Sequence, residues 1–275
     1  MAILLSLLSS LMWGMSDFIG GLVSKRRPAI AVVGWSAALG LVMASIAVAA
    51  FGGWHGPYAW LPWGIAAGAS GALGLGCYYA ALASGTMGVV APVTSLGVVV
   101  PIVIGLAAGE NPERLVWAGI IVAIIGIVLT SGPEFTGAAS ARPVLIAALA
   151  GVLFGIFFTC VDNGAEDSPV LTLWAMRGSV TLAFVVVALV RRTTGGLAGT
   201  DFAWVLLIAA GDLSANLMFA IASTKGFVSI TSVLSSLFPV VTVLLARAIL
   251  RERLRLVQTL GVAVTMVGVA LISFG

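Results

Sequence analysis

Ten mostly apolar stretches follow one another along the chain, near 3–23, 29–51, 60–83, 87–108, 115–131, 143–162, 170–190, 202–223, 227–249 and 256–274. A helix needs about 20 such residues to cross a bilayer. Short breaks rich in Gly, Pro or charge separate them. They are Lys25 to Pro28, Gly52 to Tyr58, Ser84 to Thr86, Glu110 to Arg114, Gly132 to Arg142, Asn163 to Ser168, Arg191 to Asp201, Thr224 to Gly226 and Arg251 to Arg255. No break is large enough for an aqueous domain, so any chemistry is expected among the helices. Lipid offers no partner to free backbone groups, and no alternating barrel-strand pattern is present. The expected fold is therefore all-α and integral to a membrane, with ten transmembrane helices.

Composition narrows the function. Of 275 residues, 61% are hydrophobic and 8% charged, against about 25% charge in an ordinary soluble domain. A soluble fold cannot hide that much apolar surface. This excludes a soluble enzyme, a secreted disulfide scaffold and a disordered chain. The formal net charge of +3 is too small for a nucleic-acid footprint. Cys77 and Cys160 both lie inside apolar stretches, away from an aqueous face, and are not expected to pair. The first stretch begins almost at Met1, lacks a charged leader and is too long for a signal peptide, so it reads as a retained span. His55 stands alone in a loop and makes no metal site; no cofactor is expected.

The chain repeats itself. Gly119, Gly126, Leu129 and Ser131 align with Gly261, Gly268, Leu271 and Ser273, and Glu110 falls opposite Glu252. Upstream, Ala81 to Ser84 matches Ala220 to Ser223. Gly88 matches Gly226, Pro101 matches Pro239, and Trp13-Gly14 aligns with Phe154-Gly155. Two halves of five spans follow, 3–131 and 143–274, joined by a linker at 132–142. An odd number of spans forces the second half to enter the membrane from the opposite side. Inverted repeats of this kind recur in secondary transporters, with the substrate site at the repeat interface.

On these residues the chain resembles the drug/metabolite transporter superfamily, EamA type. Leu11-Met12-Trp13-Gly14 carries the resemblance in the first span. The second half carries it best, through Pro239, Leu250-Arg251-Glu252-Arg253-Leu254, Gln258, Gly261 and Gly268-Val269. The first half departs from the pattern: Glu110 is followed by Asn111-Pro112 rather than by a basic residue, and Pro101 lies close to it. The resemblance implies ten helices and export of small metabolites or drugs. Bacterial members of the YddG type export amino acids, including aromatic ones.

Charge sets an expected orientation. Breaks after odd-numbered spans, with the end of span nine, hold Lys25, Arg26, Arg27, Arg142, Arg191, Arg192, Arg247, Arg251, Arg253 and Arg255. Breaks after even-numbered spans hold Arg114 and Lys225. Basic residues in short loops stay cytoplasmic. Loops 25–27 and 251–255 are thus expected inside, with both termini outside, in the inner membrane of a bacterium.

Charges within spans are costly and mark candidate sites. Asp17 lies one helical turn after Trp13, so an indole and a carboxylate share one face. They offer a wall and a counter-charge to a cationic or zwitterionic solute; equally, Asp17 is placed to bond a neighbouring helix or Lys25. Asp212 and Asn216, one turn apart, read as a cavity-lining or proton-relay pair, or as a buried structural pair. Arg177 is expected to snorkel or to pair with a carboxylate such as Asp162. Tyr78 and Tyr79 sit mid-span, away from the interfaces that belt aromatics prefer, and read as cavity walls. Phe154 and Phe158 mirror the Trp13 region, and Ser235 is placed to touch solute or a freed carbonyl. Pro92, Pro101 and Pro239 interrupt spans four and nine, with Gly88 and Gly226 at the matching helix starts. Helix breakers in equivalent places of two halves mark expected hinges or gates.

The expected function is a secondary transporter exporting a small organic solute, best read as an amino acid, by alternating access. A multidrug, sugar or nucleotide-type carrier is the alternative within the same fold. A membrane-embedded enzyme is disfavoured because the sequence has no H-E-x-x-H, G-x-S-x-G or G-x-x-x-x-G-K motif. A channel is disfavoured by the lack of a repeated filter motif. Two fused halves complete one unit, so a monomer is sufficient, with solute and lipid as its partners.

Overall fold

A computed structural model of the chain describes residues 1–24, 26–50, 54, 58–84, 93–130, 141–250 and 255–274. The helices are α1 (Ala2–Ser24), α2 (Ala29–Ala50), α3 (Trp60–Ser84), α4 (Val99–Ala107), α5 (Arg114–Thr130), α6 (Ala141–Asp167), α7 (Pro169–Arg191), α8 (Phe202–Ser223), α9 (Val228–Ser235), α10 (Phe238–Leu250) and α11 (Leu256–Phe274). A 3₁₀ turn, Leu96–Val98, runs directly into α4. Seven segments are long and apolar enough to cross a membrane; Val93–Ala107 and Arg114–Thr130 are apolar but shorter. The fold is all-helical among the described residues.

Helix ends follow local chemistry. Ser168 is extended, at φ −159°, and its hydroxyl accepts the Leu171 amide of α7 while Pro169 occupies the first helical position. Proline suits that position because its missing N–H would have no partner there. The stretch expected as one span near 227–249 is instead two helices, α9 and α10, divided at Ser236-Leu237. Pro239 is the cause: it has no N–H to donate back to the carbonyl of Ser235. The matching place in the first half, three to five residues before Pro101, is the 3₁₀ turn. Both broken spans therefore break at equivalent positions.

The repeat reappears as contacts. Helices α5 and α11 pack along their length. A methyl group on Gly126 would lie 2.3 Å from Thr265 Oγ1, and one on Gly268 would meet the backbone of Ala123 at 2.5 Å. A methyl on Gly119 would strike Ile272, and one on Gly261 would strike Thr130. Each contact of the first half has its mate in the second. Small residues let these backbones touch, which drives helix association in lipid. Likewise α1 lies antiparallel to α8, where the Ser9 hydroxyl donates to the Ala215 carbonyl at 2.8 Å and Gly211 hugs Ser16. Its counterpart, α3 against α6, pairs Gly71 with Phe157 and Gly74 with Phe154. Helices α2 and α7 also pack together. The two halves interleave, and the α1–α8 and α3–α6 pairs flank the middle of the bundle.

Candidate functional site

Trp13 stands at the centre. Its ring meets Phe158 edge-on at 5.7 Å and Phe219 at 6.2 Å, with Phe157 and Phe238 each at 6.3 Å. These rings come from α1, α6, α8 and α10, so one aromatic cluster joins both halves. Phe158 and Phe219 pack at 4.9 Å in a T-shaped pair, a favoured geometry for ring quadrupoles. Gly14 permits the approach: a methyl there would lie 2.4 Å from Val241 and 2.9 Å from the Phe238 carbonyl oxygen.

A polar network touches the cluster on one side. The Trp13 indole N–H donates to Asp212 Oδ1 at 2.9 Å. Asn216, one turn further along α8, donates to the Asp212 carbonyl at 2.7 Å and to Oδ1 at 3.1 Å. Arg177 of α7 sets Nη2 2.5 Å from Asp212 Oδ2. Arg177 is thus paired with Asp212 rather than Asp162, whose side chain is hydrogen-bonded with Ser223 instead. Arg177 is only 6% exposed, while the Asp212 side chain keeps 29% of its surface. Asp17 is exposed and close enough to feel the Asp212 charge. One guanidinium and one carboxylate therefore meet beside an indole, with the Asp17 carboxyl within electrostatic range. Such a cluster can hold a small solute carrying both charge signs.

Helix α1 is exposed on two sides. Leu4, Leu11 and Met15 are exposed on one side of the helix. Asp17 and Gly21 are exposed on a second side, centred about 120° away by helical geometry. Gly14 and Phe18, which lie between the two sides, are buried. Towards the N-terminus the second face closes, for Ser6, Ser10 and Trp13 are buried. The second exposed face therefore begins below Trp13 and runs towards the end of α1 that carries Arg26 and Arg27. At that end Arg27 Nε lies 2.7 Å from Asp201 Oδ2.

The other expected site residues are placed as follows. Phe154 packs on Gly74 between α6 and α3. Tyr78 packs near Ala81, Ala147 and Ile146, further along α3 from the Trp13 level. Tyr79 lies in α3, and its side chain falls outside the described part. Ser235 is fully buried, and its hydroxyl donates to the Ser6 carbonyl at 3.4 Å. Pro101 is buried in α4 and Pro239 half-buried in α10. Gly226 stands against Ala2. Gly88 and Pro92 lie outside the described residues, as do Lys25 and 251–254. Cys77 and Cys160 are free thiols. Sequence reasoning passed over Phe219, Phe238 and the Arg177–Asp212 pair. Only the pair had a visible signal, as opposite charges in neighbouring apolar spans.

No curated protein matches the chain. One solved structure, titled only as a crystal structure of a protein, shares the fold with a TM-score of 0.80 at 18% identity, covering 99% of this chain and 96% of that one. The EamA-like transporter family matches twice, over residues 1–132 and again over 141–274, which together take in nearly the whole sequence. The chain, a helical membrane protein built on that two-repeat plan, belongs to the EamA-like transporter family.

Proposed function

We propose that this transporter exports amino acids by alternating access, through a central site walled by Trp13 and Phe158, charged by Asp17 and Asp212 beside Arg177, and completed by the neutral amide of Asn216. The observation that carries the reading is the Trp13–Asp212 bond between α1 and α8. It puts an aromatic wall and a mixed-charge cluster where the two halves meet, beside the exposed face of α1 that carries Asp17. In this reading the chain crosses the membrane ten times, α9 and α10 forming one broken span, and works as a monomer. Loops 25–27 and 251–255 face the cytoplasm, so the site opens inward. The spans broken near Pro101 and Pro239 act as gates, moved in opposite senses by the two halves. Phe154, Tyr78, Tyr79 and Ser235 then line or support the path above and below the Trp13 level.

The mixed charge favours a zwitterion over a purely cationic drug. Counterflow into liposomes holding the purified protein tests this, with a panel of labelled amino acids, sugars and cationic drugs. Trans-accelerated, saturable flux of amino acids is expected. Flux restricted to sugars or to cationic drugs would replace the substrate, and flux that never saturates would replace the carrier with a channel.

A further inference from the structure

We propose that Arg177 is the receptor for the solute's carboxylate, and that Asp212 is an internal carboxylate which holds this position until solute displaces it. The proposal rests on the amino-acid reading above and assigns the recognition step within it.

Arg177 is buried, at 6% exposure, yet it is under-used. Nη2 faces Asp212 Oδ2, while Nε has no hydrogen-bond partner among the described residues. A guanidinium carries five N–H donors in a planar fork that matches a carboxylate in bidentate fashion. Leaving such donors unpaired away from water is costly. Two more buried polar atoms without a hydrogen-bond partner lie on the same helices: Thr181 Oγ1, one turn beyond Arg177 on α7, and Asn216 Oδ1, one turn beyond Asp212 on α8. The side chain also has a made place. Gly40 of α2 stands behind it, and a methyl there would come within 3.2 Å of Arg177 Cδ and 3.3 Å of Nε.

Asp212 is built to let go. Its Oδ1 is held by two neutral donors, Trp13 and Asn216, which do not depend on Arg177. Its Oδ2 alone faces the guanidinium, and Asp17 of α1 lies within electrostatic range of it. A solute carboxylate entering past Asp17 can take the guanidinium fork in place of Oδ2. Asp212 then stays bonded to Trp13 and Asn216, and its freed oxygen, together with Asp17, faces the solute's ammonium group. Every charge keeps a partner during the exchange. An amine without a carboxylate cannot displace Asp212, since it offers Arg177 only like charge.

Binding of four probes to the purified full chain tests this: phenylalanine, phenylalaninamide, phenethylamine and 3-phenylpropionate, measured by calorimetry in detergent. The unaltered protein should prefer phenylalanine over its amide by about ten- to a hundredfold, the range expected for hydrogen bonds to a charged group. Arg177→Gln should abolish that preference and strengthen phenethylamine binding, since Asp212 is then free to face the ammonium group and the like charge is gone. Asp212→Asn should keep the preference for phenylalanine over its amide, because Arg177 remains and the internal competitor has lost its charge. The double variant removes both charges and leaves neither buried alone, so it controls for folding; it should bind phenylalanine and its amide alike. The proposal is overturned if Arg177→Gln weakens phenylalanine, amide and amine equally, which is the signature of a structural ion pair. It is also overturned if Asp212→Asn loses the preference for phenylalanine over its amide as Arg177→Gln does. Equal binding of amine and amino acid by the unaltered protein sinks it too, yet leaves the transport reading standing, since that reading falls only on the flux panel.

Discussion

Trp13 and Asp212, 199 residues apart, share a 2.9 Å hydrogen bond that links the first helix of one half to the third helix of the other. The indole has a single donor and spends it on the carboxylate, while its ring face and edge serve the aromatic cluster. Packing and charge recognition therefore meet in one side chain. Trp13→Phe keeps most of the apolar volume and deletes only the donor. It should cost about 1 kcal/mol of stability, since a half-buried carboxylate loses one of its partners, and should weaken solute binding. Thermal unfolding and equilibrium binding on the same preparation check it; unchanged values in both would show the bond to be idle.

Orientation is tested with single cysteines. In a background lacking Cys77 and Cys160, a cysteine at Arg27 or Arg255 should resist an impermeant thiol reagent applied to intact cells, because ten of the basic residues assigned to breaks lie on that face and two on the other. One at Lys225 should react. Reversed labelling would turn the molecule over and make its open site face outward.

Close backbone contact makes a sharp prediction about stability. A methyl on Gly97 would lie 2.1 Å from the Gly151 carbonyl oxygen, where the first broken span crosses α6. Backbone cannot yield as a flexible side-chain tip can, so Gly97→Ala should destabilise by about 1–3 kcal/mol. Gly76, on α3, has nothing within 4 Å of an added methyl. Gly76→Ala should be neutral, or gain about 0.5–1 kcal/mol by restricting the unfolded chain and favouring helix. Unfolding temperatures that rank the two variants the other way would refute the contact.

Much of this was legible in the residues, and the missing parts have a common cause. Gly119, Gly126, Gly261 and Gly268 were visible as a repeat, and they meet at the α5–α11 crossing because small residues at fixed spacing form one smooth face. The break at Pro239 could be read from a single imino acid. The Arg177–Asp212 pair could not, because periodicity tells which face of a helix is special but not which helix lies opposite. Asp162 and Asp212 were equally good partners until Asp212 was seen against Arg177 and Asp162 beside Ser223. Tyr78 illustrates the same limit along the axis. It lies seven residues beyond Gly71, the neighbour of Phe157, and seven residues span about 10 Å of helix. A mid-span position in the sequence therefore did not place Tyr78 at the level of Trp13.

Pro239 is expected to govern rate rather than affinity. An alanine there supplies an N–H one turn after Ser235, whose carbonyl could then accept it and fuse α9 to α10 in one straight rod. Pro239→Ala should slow counterflow while leaving equilibrium solute binding within about twofold, since gating steps set turnover. A large loss of binding with normal turnover of the remaining sites would move the solute site onto α10.

The closed face has its own fastener, and it predicts how that face opens. Glu110 follows α4, at a turn where Gly109 takes φ 96°. Its carboxylate reaches across to the other half and accepts the amides of Val228 and Ser229 at the start of α9. A carboxylate suits this place because the first amides of a helix lack internal partners and carry partial positive charge. Gly105 leaves room for it: a methyl there would lie 2.4 Å from Glu110 Oε2. The two broken spans are thus tied together at the face opposite Arg27, above the buried Ser6 and Ser10 of α1. Glu110→Ala removes the tie and should cost about 0.5–2 kcal/mol, as loss of a helix cap does. Under the proposed alternating access that free energy is drawn only from the state closed on this face, so the variant should spend more time open there. A cysteine at Ser10, shielded in the parent protein, should then react faster with a thiol reagent from that side. Glu110→Gln, which keeps the shape but loses the charge, should fall between the two. Gly105→Ala should mimic the effect by displacing an intact carboxylate. If Ser10→Cys stays equally shielded in all three, the Glu110 contact caps a helix without holding a gate.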